Sequence, residues 1–259
     1  MNYGLYLSAA GAIGAMHRQN VLANNLANVR TAGFKPDEVF LRERLPARIE
    51  APVPGAEAHL LERLGGGGVF AEPTGTRFKP GAIERTGNPL DVALTGSGFF
   101  MVRSSGAKGG EAIRYSRDGR FAINSKGELV QAASGMRILD DRQRPIRLDS
   151  AAGVRIAPDG VISQGGAAVA RIGVAEVADQ HQLRKQGDNL FHDEGGAGAV
   201  RIAAEARLEV GAIEASAVDP VLELKSLIDA GRAAEANFRM IQYHDTLNDQ
   251  VINRVARVA

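Results

Sequence analysis

The two ends of the chain and its middle carry different patterns of apolar and polar residues. From Tyr3 to Val29 the apolar residues recur at a spacing of three and four, which predicts a helix. Between about Phe78 and Val210 short apolar runs alternate with glycine-containing turns, which predicts short β-strands. From Val221 to Val258 the helical spacing returns, without a proline. The pattern therefore predicts an α+β fold in which two terminal helices flank an inserted all-β domain of short antiparallel strands.

Local signals predict where the helices end and begin. Gly33, followed by Pro36, is typical of a helix stop, because glycine adopts the left-handed conformation that closes a helix. Asp219-Pro220 predicts the start of the second helix, with a capping carboxylate and a proline at the first helical position. Apolar residues then follow at once in the sequence.

Glycines also predict turns within the β region. Gly98 separates two strand-like runs in "LDVALTGSGFFMVR" and predicts a tight bend. Asp118-Gly119 predicts a hairpin with a type I′ turn, in which both central residues have positive φ. Pro158-Asp159-Gly160, between "VRIA" and "VIS", predicts another turn. The charged residues of the first hairpin (Arg114, Arg117, Asp118 and Arg120) are interpreted as an exposed turn with solvated charges, with a subunit contact as the alternative.

A segment rich in proline and glycine separates the first helix from the β region. It includes Gly65 to Gly68, four consecutive glycines that are incompatible with a helix or strand interior. The sequence thus predicts three parts: a discontinuous helical domain of residues 1–34 and 219–259, an extended connector of residues 35–77, and a β-domain of residues 78–218.

The apolar faces of the terminal helices are too wide for one partner helix to cover. The helices are expected to form an antiparallel pair, and the uncovered remainder is expected to meet either the β-domain or other copies of the chain. Any stripe that stays exposed on the single chain predicts an association surface. Asparagine amides within the first helix are predicted to give register at such a surface; the alternative is that they form a solvated face. The residues predicted to contact neighbouring subunits are Ile13, Met16, Asn20, Leu22, Asn24, Asn25, Leu26, Asn28, Leu224, Leu227, Phe238, Ile241, Leu247 and Val251.

Composition and motifs argue against catalysis. The net charge is +1 and there is no cysteine, so neither a nucleic-acid surface nor a thiolate metal site is indicated. The five histidines lack metal-ligand spacing, and no nucleophile elbow or phosphate loop is present. The N-terminal apolar run ends at His17, short of the roughly 18 residues that a membrane span needs, and it lacks the basic start of a signal peptide. No catalytic, cofactor-binding or metal-binding residue is predicted.

Four stretches resemble the axial proteins of the bacterial flagellum, the rod and hook subunits. They occur in that family's order and cover nearly the whole chain. The length resembles the rod proteins more than the longer hook subunit, and "LYLSAAG" and "NFRMIQYHDTLND" resemble the proximal-rod subunit more than the distal one. One departure is Ser216-Ala217-Val218, where many members have Ser-Asn-Val. The four stretches are "ANNLANVRTAGFK" (Ala23–Lys35), "NPLDVALTGSGFFMV" (Asn88–Val102), "YSRDGRFAINSKGELV" (Tyr115–Val130) and "GAIEASAVDPVLELKSLI" (Gly211–Ile228).

The resemblance implies a structural role in the basal body. Members of the family pack helically around the flagellar axis, with the terminal helices inside and the β-domain outside, and transmit torque from motor to hook. The implied partners are other copies, neighbouring rod and hook proteins, and the flagellar type III export apparatus, with no nucleic acid and no membrane insertion. It also implies terminal helices that become fully ordered only on assembly. The alternatives are a β-domain enzyme or binding module with helical flanks, and a secreted effector whose helices bind a membrane or a host protein.

Overall fold

The fold contains two long terminal helices and many short strands between them. The computed structural model describes residues 2–44, 68–105, 111–149, 153–194, 200–202 and 207–255. Helix α1 spans Asn2–Ala27 and helix α2 spans Pro220–Val255. The strands are β1 (Asp37–Glu38), β2 (Leu41–Glu43), β3 (Val69–Ala71), β4 (Gly75–Thr76), β5 (Ile83–Arg85), β6 (Val92–Thr95), β7 (Phe99–Ser105), β8 (Glu111–Ser116), β9 (Phe121–Ile123), β10 (Leu129–Gln131), β11 (Arg137–Ile138), β12 (Val154–Ile156), β13 (Val161–Gln164), β14 (Ala167–Arg171), β15 (Val174–Val177), β16 (Leu183–Gly187), β17 (Leu190–Asp193), β18 (Val200–Ile202), β19 (Arg207–Val210) and β20 (Ala212–Glu214).

The chain forms two compact units. We call the first the helical unit; it comprises Met1–Ala27, Asp37–Gly75 and Asp219–Ala259. The second, the β unit, comprises Asn28–Pro36 and Thr76–Val218. The residues that follow α1 thus belong to the β unit, because their backbone is hydrogen-bonded there. The described part of the predicted connector contains four short strands, β1 to β4, and residues 45–67 lie outside the described residues.

Within the helical unit α1 and α2 form an antiparallel pair. Gly4 of α1 lies against His244 of α2, and Gly11 lies against Asn237. A Cβ atom on Gly11 would lie 2.7 Å from Oδ1 of Asn237, so the two helices approach closely where α1 has no side chain. The predicted pairing of the terminal helices is therefore confirmed.

The β unit is built from antiparallel pairs. Its largest sheet, among the described residues, has the strand order β16-β17-β8-β7-β11-β10-β9, with β15 pairing to both β7 and β18. Smaller sheets pair β13 with β12 and β14, β6 with β19, and β5 with β20. Smaller buried clusters around Phe99 and Met101 cover one face of β7. Apolar side chains from many strands meet on the other face in the main core cluster. Its fully buried members include Val92, Phe100, Val102, Leu129, Ile138 and Ile162.

The predicted turn at Pro158-Asp159-Gly160 is confirmed. Strands β12 and β13 flank it and pair antiparallel. The N–H of Gly160 donates to the carbonyl of Ala157 at 2.9 Å, and Gly160 has a φ of 85°. Glycine adopts this conformation with little strain, so the residues of the turn were enough to predict it.

The predicted hairpin at Asp118-Gly119 is wrong. Strand β8 pairs with β7 and β17, whereas β9 pairs with β10. Neither Asp118 nor Gly119 is among the described residues with positive φ. The glycine is required instead by a close approach, because a Cβ atom there would lie 1.7 Å from the carbonyl oxygen of Val92. Asp118 and Arg117 are also buried, which corrects the interpretation of this turn as exposed and solvated.

Candidate assembly surface

Most large apolar residues of helix α2 are exposed, whereas Leu227 and Ile241 are half-buried on the side of the helix that also carries Ala230 and Ala234. Ala230 and Ala234 are its buried apolar residues, and Asn237 and His244 lie against glycines of α1. A soluble helix usually buries most of its large apolar residues against its partner. The exposed large apolar residues of α2 are Val221, Leu222, Leu224, Ile228, Phe238, Met240, Tyr243, Leu247, Val251 and Ile252.

Most of these exposed residues fall into two rows. The first row is Val221, Leu224 and Ile228, at spacings of three and four. The second row is Met240, Tyr243, Leu247 and Val251, with the same kind of spacing. At 3.6 residues per turn the two rows lie about 110° apart around the helix axis. Helix α2 therefore offers two separate apolar surfaces, one in each half of its length.

Helix α1 carries a third exposed row. Tyr6, Ile13 and Met16 are exposed apolar residues, and Asn20 and Asn24 continue the same face toward the C-terminal end of the helix. The row is thus apolar in its first half and carries amides in its second half. Of the other residues predicted at a subunit surface, Leu22, Leu26, Asn28, Leu227 and Ile241 are half-buried.

Asn25 lies inside the helical unit and not on this row. Its side chain is 1% exposed. Its Nδ2 donates to the carbonyl of Asp37 and its Oδ1 accepts from the N–H of Asp37, both at 2.9 Å. The amide thereby ties the end of α1 to β1, and we correct the predicted subunit contact of Asn25 to an internal one.

The start of α2 is capped as the sequence predicts. Oδ1 of Asp219 accepts hydrogen bonds from the N–H groups of Val221 at 3.0 Å and Leu222 at 3.2 Å. Pro220 is the first residue of the helix. These bonds satisfy donors that a helix terminus leaves without intrahelical partners.

Asp219→Ala is expected to lower the free energy of unfolding by about 1 kcal/mol, because it removes both capping bonds. Chemical denaturation followed by circular dichroism measures the change. Asp229→Ala serves as the control, since Asp229 is exposed within the same helix; a change within about 0.5 kcal/mol is expected there. Equal losses in the two variants would contradict the capping role.

The segment that follows α1 is fixed in the β unit by its backbone. Gly33 has a φ of 67°, and its N–H donates to the carbonyl of Glu214 at 2.7 Å. A Cβ atom on Gly33 would lie 2.4 Å from the carbonyl carbon of Arg117. The sequence predicted Gly33 as the helix stop, but α1 ends at Ala27, six residues earlier. The tertiary contacts of Gly33 therefore give the reason for glycine at this position.

The residues on either side of Gly33 are also hydrogen-bonded within the β unit. The carbonyl of Ala32 accepts a 2.8 Å hydrogen bond from Nδ2 of Asn189, a residue with a positive φ of 57° in the turn between β16 and β17. The carbonyl of Phe34 accepts from the N–H of Ala217 at 3.0 Å. The bond to Ala217 uses only the backbone, so the alanine that replaces the family's asparagine keeps it.

A buried ion cluster also holds the segment that follows α1 within the β unit. Nζ of Lys35 lies 2.6 Å from Oε1 of Glu214, and Nη1 of Arg117 lies 3.2 Å from Oε2. All three side chains are at most 5% exposed. Burial lowers the pKa of both Lys35 and Arg117, while the Glu214 carboxylate opposes that shift in each. Sequence reasoning missed this cluster, because no local pattern links positions 35, 117 and 214.

The described residues show no arrangement typical of a metal site or a membrane span. In the described part of the chain, no three histidine, aspartate or glutamate side chains are grouped so that they could hold a metal ion. No helix among the same residues combines the length and the apolar character needed to cross a membrane. The exposed helical rows are thus the feature with the clearest functional implication.

Comparison with known proteins places the chain in one family. A model described as "Flagella basal body rod protein" matches residues 5–35, and "Flagellar hook protein FlgE/F/G D1 domain" matches residues 93–164. "Flagellar basal body rod FlgEFG protein C-terminal" matches residues 209–254. These matches cover α1 with the segment after it, much of the β unit, and the start and body of α2.

Full-length relatives agree with these matches. The flagellar basal-body rod protein FlgF of Caulobacter vibrioides is 33% identical over 263 residues, covering 100% of both chains. The flagellar hook-basal body complex protein FlhO of Bacillus subtilis is 27% identical over 98% of this chain and 99% of the relative. The flagellar basal-body rod protein FlgG of Agrobacterium fabrum is 29% identical over 94% of this chain and 95% of the relative. The chain belongs to the family of flagellar basal-body rod proteins.

Proposed function

We propose that this chain is a structural subunit of the flagellar basal-body rod that joins its neighbours through the three exposed rows of its terminal helices. The observation that carries the proposal is that most large apolar residues of α2 are exposed, while its fully buried apolar residues, among those described, are the two alanines Ala230 and Ala234. Exposed apolar surface of this extent on a soluble chain is typical of an association surface. Assembly removes it from water, which stabilises the assembled state.

Three separate rows suit a repeating assembly better than a closed pair. A two-fold dimer uses one self-complementary patch, whereas a helical array needs different patches that meet on successive subunits. The two rows of α2 and the row of α1 differ in sequence and in direction around their helices. The proposed partners are therefore other copies of this chain and related rod and hook subunits.

The proximal-rod position is favoured within the family. The FlgF relative matches the whole chain at 33% identity, and the FlgG relatives match at 26% to 29%. The two ends of the sequence also resemble the proximal subunit. A distal-rod subunit is the second candidate. In either position we propose that the chain leaves the cell through the flagellar type III export apparatus and transmits torque to the hook.

The first row of α2 offers a direct test. A deletion strain of the host is complemented with the double variant Leu224→Glu and Ile228→Glu. We expect no hook, no filament and no swimming, because a carboxylate in a buried subunit contact is strongly unfavourable. The purified variant should unfold at the same temperature as the wild type, since both positions are exposed in the single chain.

A control tests whether any change of exposed charge in the same turns of α2 is enough to disturb assembly. Lys225→Gln with Asp229→Asn changes two exposed residues of the same helical turns, and we expect normal swimming. Normal filaments and swimming in the strain that carries Leu224→Glu and Ile228→Glu would overturn the proposed surface. Normal flagella in the deletion strain itself would overturn the proposed role in the rod.

A further inference from the structure

The polypeptide passes between its two units at four places. From the bounds of the units, these crossings follow Ala27, Pro36, Gly75 and Val218. Each crossing has a short stretch of chain on the β-unit side. These stretches are Asn28–Pro36, which serves two crossings, the residues just after Thr76, and the residues just before Val218. They are far apart in the sequence, so nothing local keeps them together.

Glu214 lies in the last of these stretches, and its buried carboxylate contacts the other two. Oε1 of Glu214 accepts from Nζ of Lys35 at 2.6 Å and from the N–H of Gly81 at 2.8 Å. These partners are 179 and 133 residues from Glu214 in the sequence. Nζ of Lys35 also donates to the carbonyl of Lys79 at 2.8 Å. Glu214 itself lies four residues before the crossing at Val218.

Backbone hydrogen bonds of Glu214 and its neighbour join the same stretches. Its carbonyl accepts from the N–H of Gly33, and the N–H of the next residue, Ala215, donates to the carbonyl of Ala82 at 2.7 Å. The guanidinium of Arg117 is a second cation and pairs with Oε2 of Glu214. It also lies 5.1 Å from the centre of the Phe99 ring. The carboxylate of Glu214 is therefore linked to the core of the β unit through Arg117, as well as to the other two stretches.

We propose that Glu214 is a positioning residue that fastens all four chain crossings to the β unit as one joint. The local reason is electrostatic: the two buried cations are tolerated because one carboxylate lies between them, and they cannot stay buried without it. The mechanical consequence rests on the proposed function. In a rod subunit, force that passes along the polypeptide from the helical unit would enter the β unit at these crossings.

Glu214→Gln tests the joint because glutamine keeps the size of the side chain and removes its charge. Hydrogen exchange of the purified full-length chain is followed by mass spectrometry. We expect at least tenfold faster exchange for the amides of Gly33, Gly81, Ala215 and Ala217. Exchange of Met101 and Leu139, whose N–H groups donate within the core of the β unit, should change less than twofold.

Glu128→Gln is the matched control, since Glu128 is also buried and pairs with Arg147 elsewhere in the β unit. It should leave exchange at the four joint amides unchanged. If Glu214→Gln does not fold, Lys35→Met is used, and a smaller increase, about threefold or more, is expected at Gly33 and Gly81. Uniform acceleration across the β unit, or acceleration confined to residues adjacent to position 214, would overturn the proposal.

The exchange experiment is independent of the role in the rod, because it uses the purified single chain. In the functional test, the deletion strain is complemented with the Glu214→Gln variant at a temperature at which the variant is folded. Rods that form but fail as viscous load is raised would support the joint. Swimming equal to wild type at every load, together with faster exchange at the joint, would overturn the proposed role of the joint in transmitting force. The proposal that Glu214 holds the crossings together would still stand.

Discussion

Replacing Gly119 with alanine is expected to lower the free energy of unfolding by more than about 3 kcal/mol. The new Cβ atom would lie 1.7 Å from the carbonyl oxygen of Val92 and 3.1 Å from the ring of Phe100. Both neighbours are fully buried, and Val92 donates its own N–H to the carbonyl of Gly119 at 2.9 Å. The chain cannot relieve the clash without breaking that bond. Urea denaturation followed by circular dichroism measures the loss.

Gly135→Ala is the control for this substitution. Gly135 has a φ of 69°, and a Cβ atom there would have nothing within 4 Å. The cost is then only that of a left-handed alanine, roughly 1 to 2 kcal/mol. If Gly119→Ala destabilises the chain no more than Gly135→Ala does, the close approach to Val92 does not explain the glycine.

Asn25→Asp is expected to destabilise the chain by about 3 kcal/mol at neutral pH. The substitution keeps the shape of the side chain and its acceptor for the N–H of Asp37. It removes the donor to the carbonyl of Asp37 and places a carboxylate beside that carbonyl in a buried position. Thermal and chemical denaturation both report the loss.

Asn20→Asp provides the comparison, because Asn20 is exposed on the same helix. A change within about 0.5 kcal/mol is expected at this surface position. In the complemented deletion strain, however, Asn20→Asp tests the exposed row of α1, since a new charge there would disturb the proposed subunit contact. Similar losses of stability in the two aspartate variants would contradict the internal role of Asn25.

The two kinds of asparagine account for the run of amides at the end of α1. Asn20 and Asn24 are exposed and continue the row begun by Tyr6, Ile13 and Met16. Asn25, adjacent to Asn24 in the sequence, points to another side of the helix, because each residue turns the helix by about 100°. Neighbouring asparagines thus serve different purposes, one at a surface and one inside the helical unit.

The sequence by itself determined the features that depend on neighbouring residues. The two terminal helices follow from the spacing of apolar residues, and the start of α2 follows from Asp219 and Pro220. The turn at Pro158-Asp159-Gly160 follows in the same way, since its conformation is set by the residues within it. Such features need no knowledge of what lies across the fold.

Only the tertiary structure decided the features that join distant parts of the chain. Lys35 and Glu214 are 179 residues apart, and the requirement for Gly119 comes from the backbone of Val92 in strand β6. Apolar spacing also shows that a helix has an apolar face without showing what covers it. In α2 the close approach of α1 at Gly4 and Gly11 places the polar residues His244 and Asn237 at the contact, and most of the large apolar side chains of α2 remain exposed.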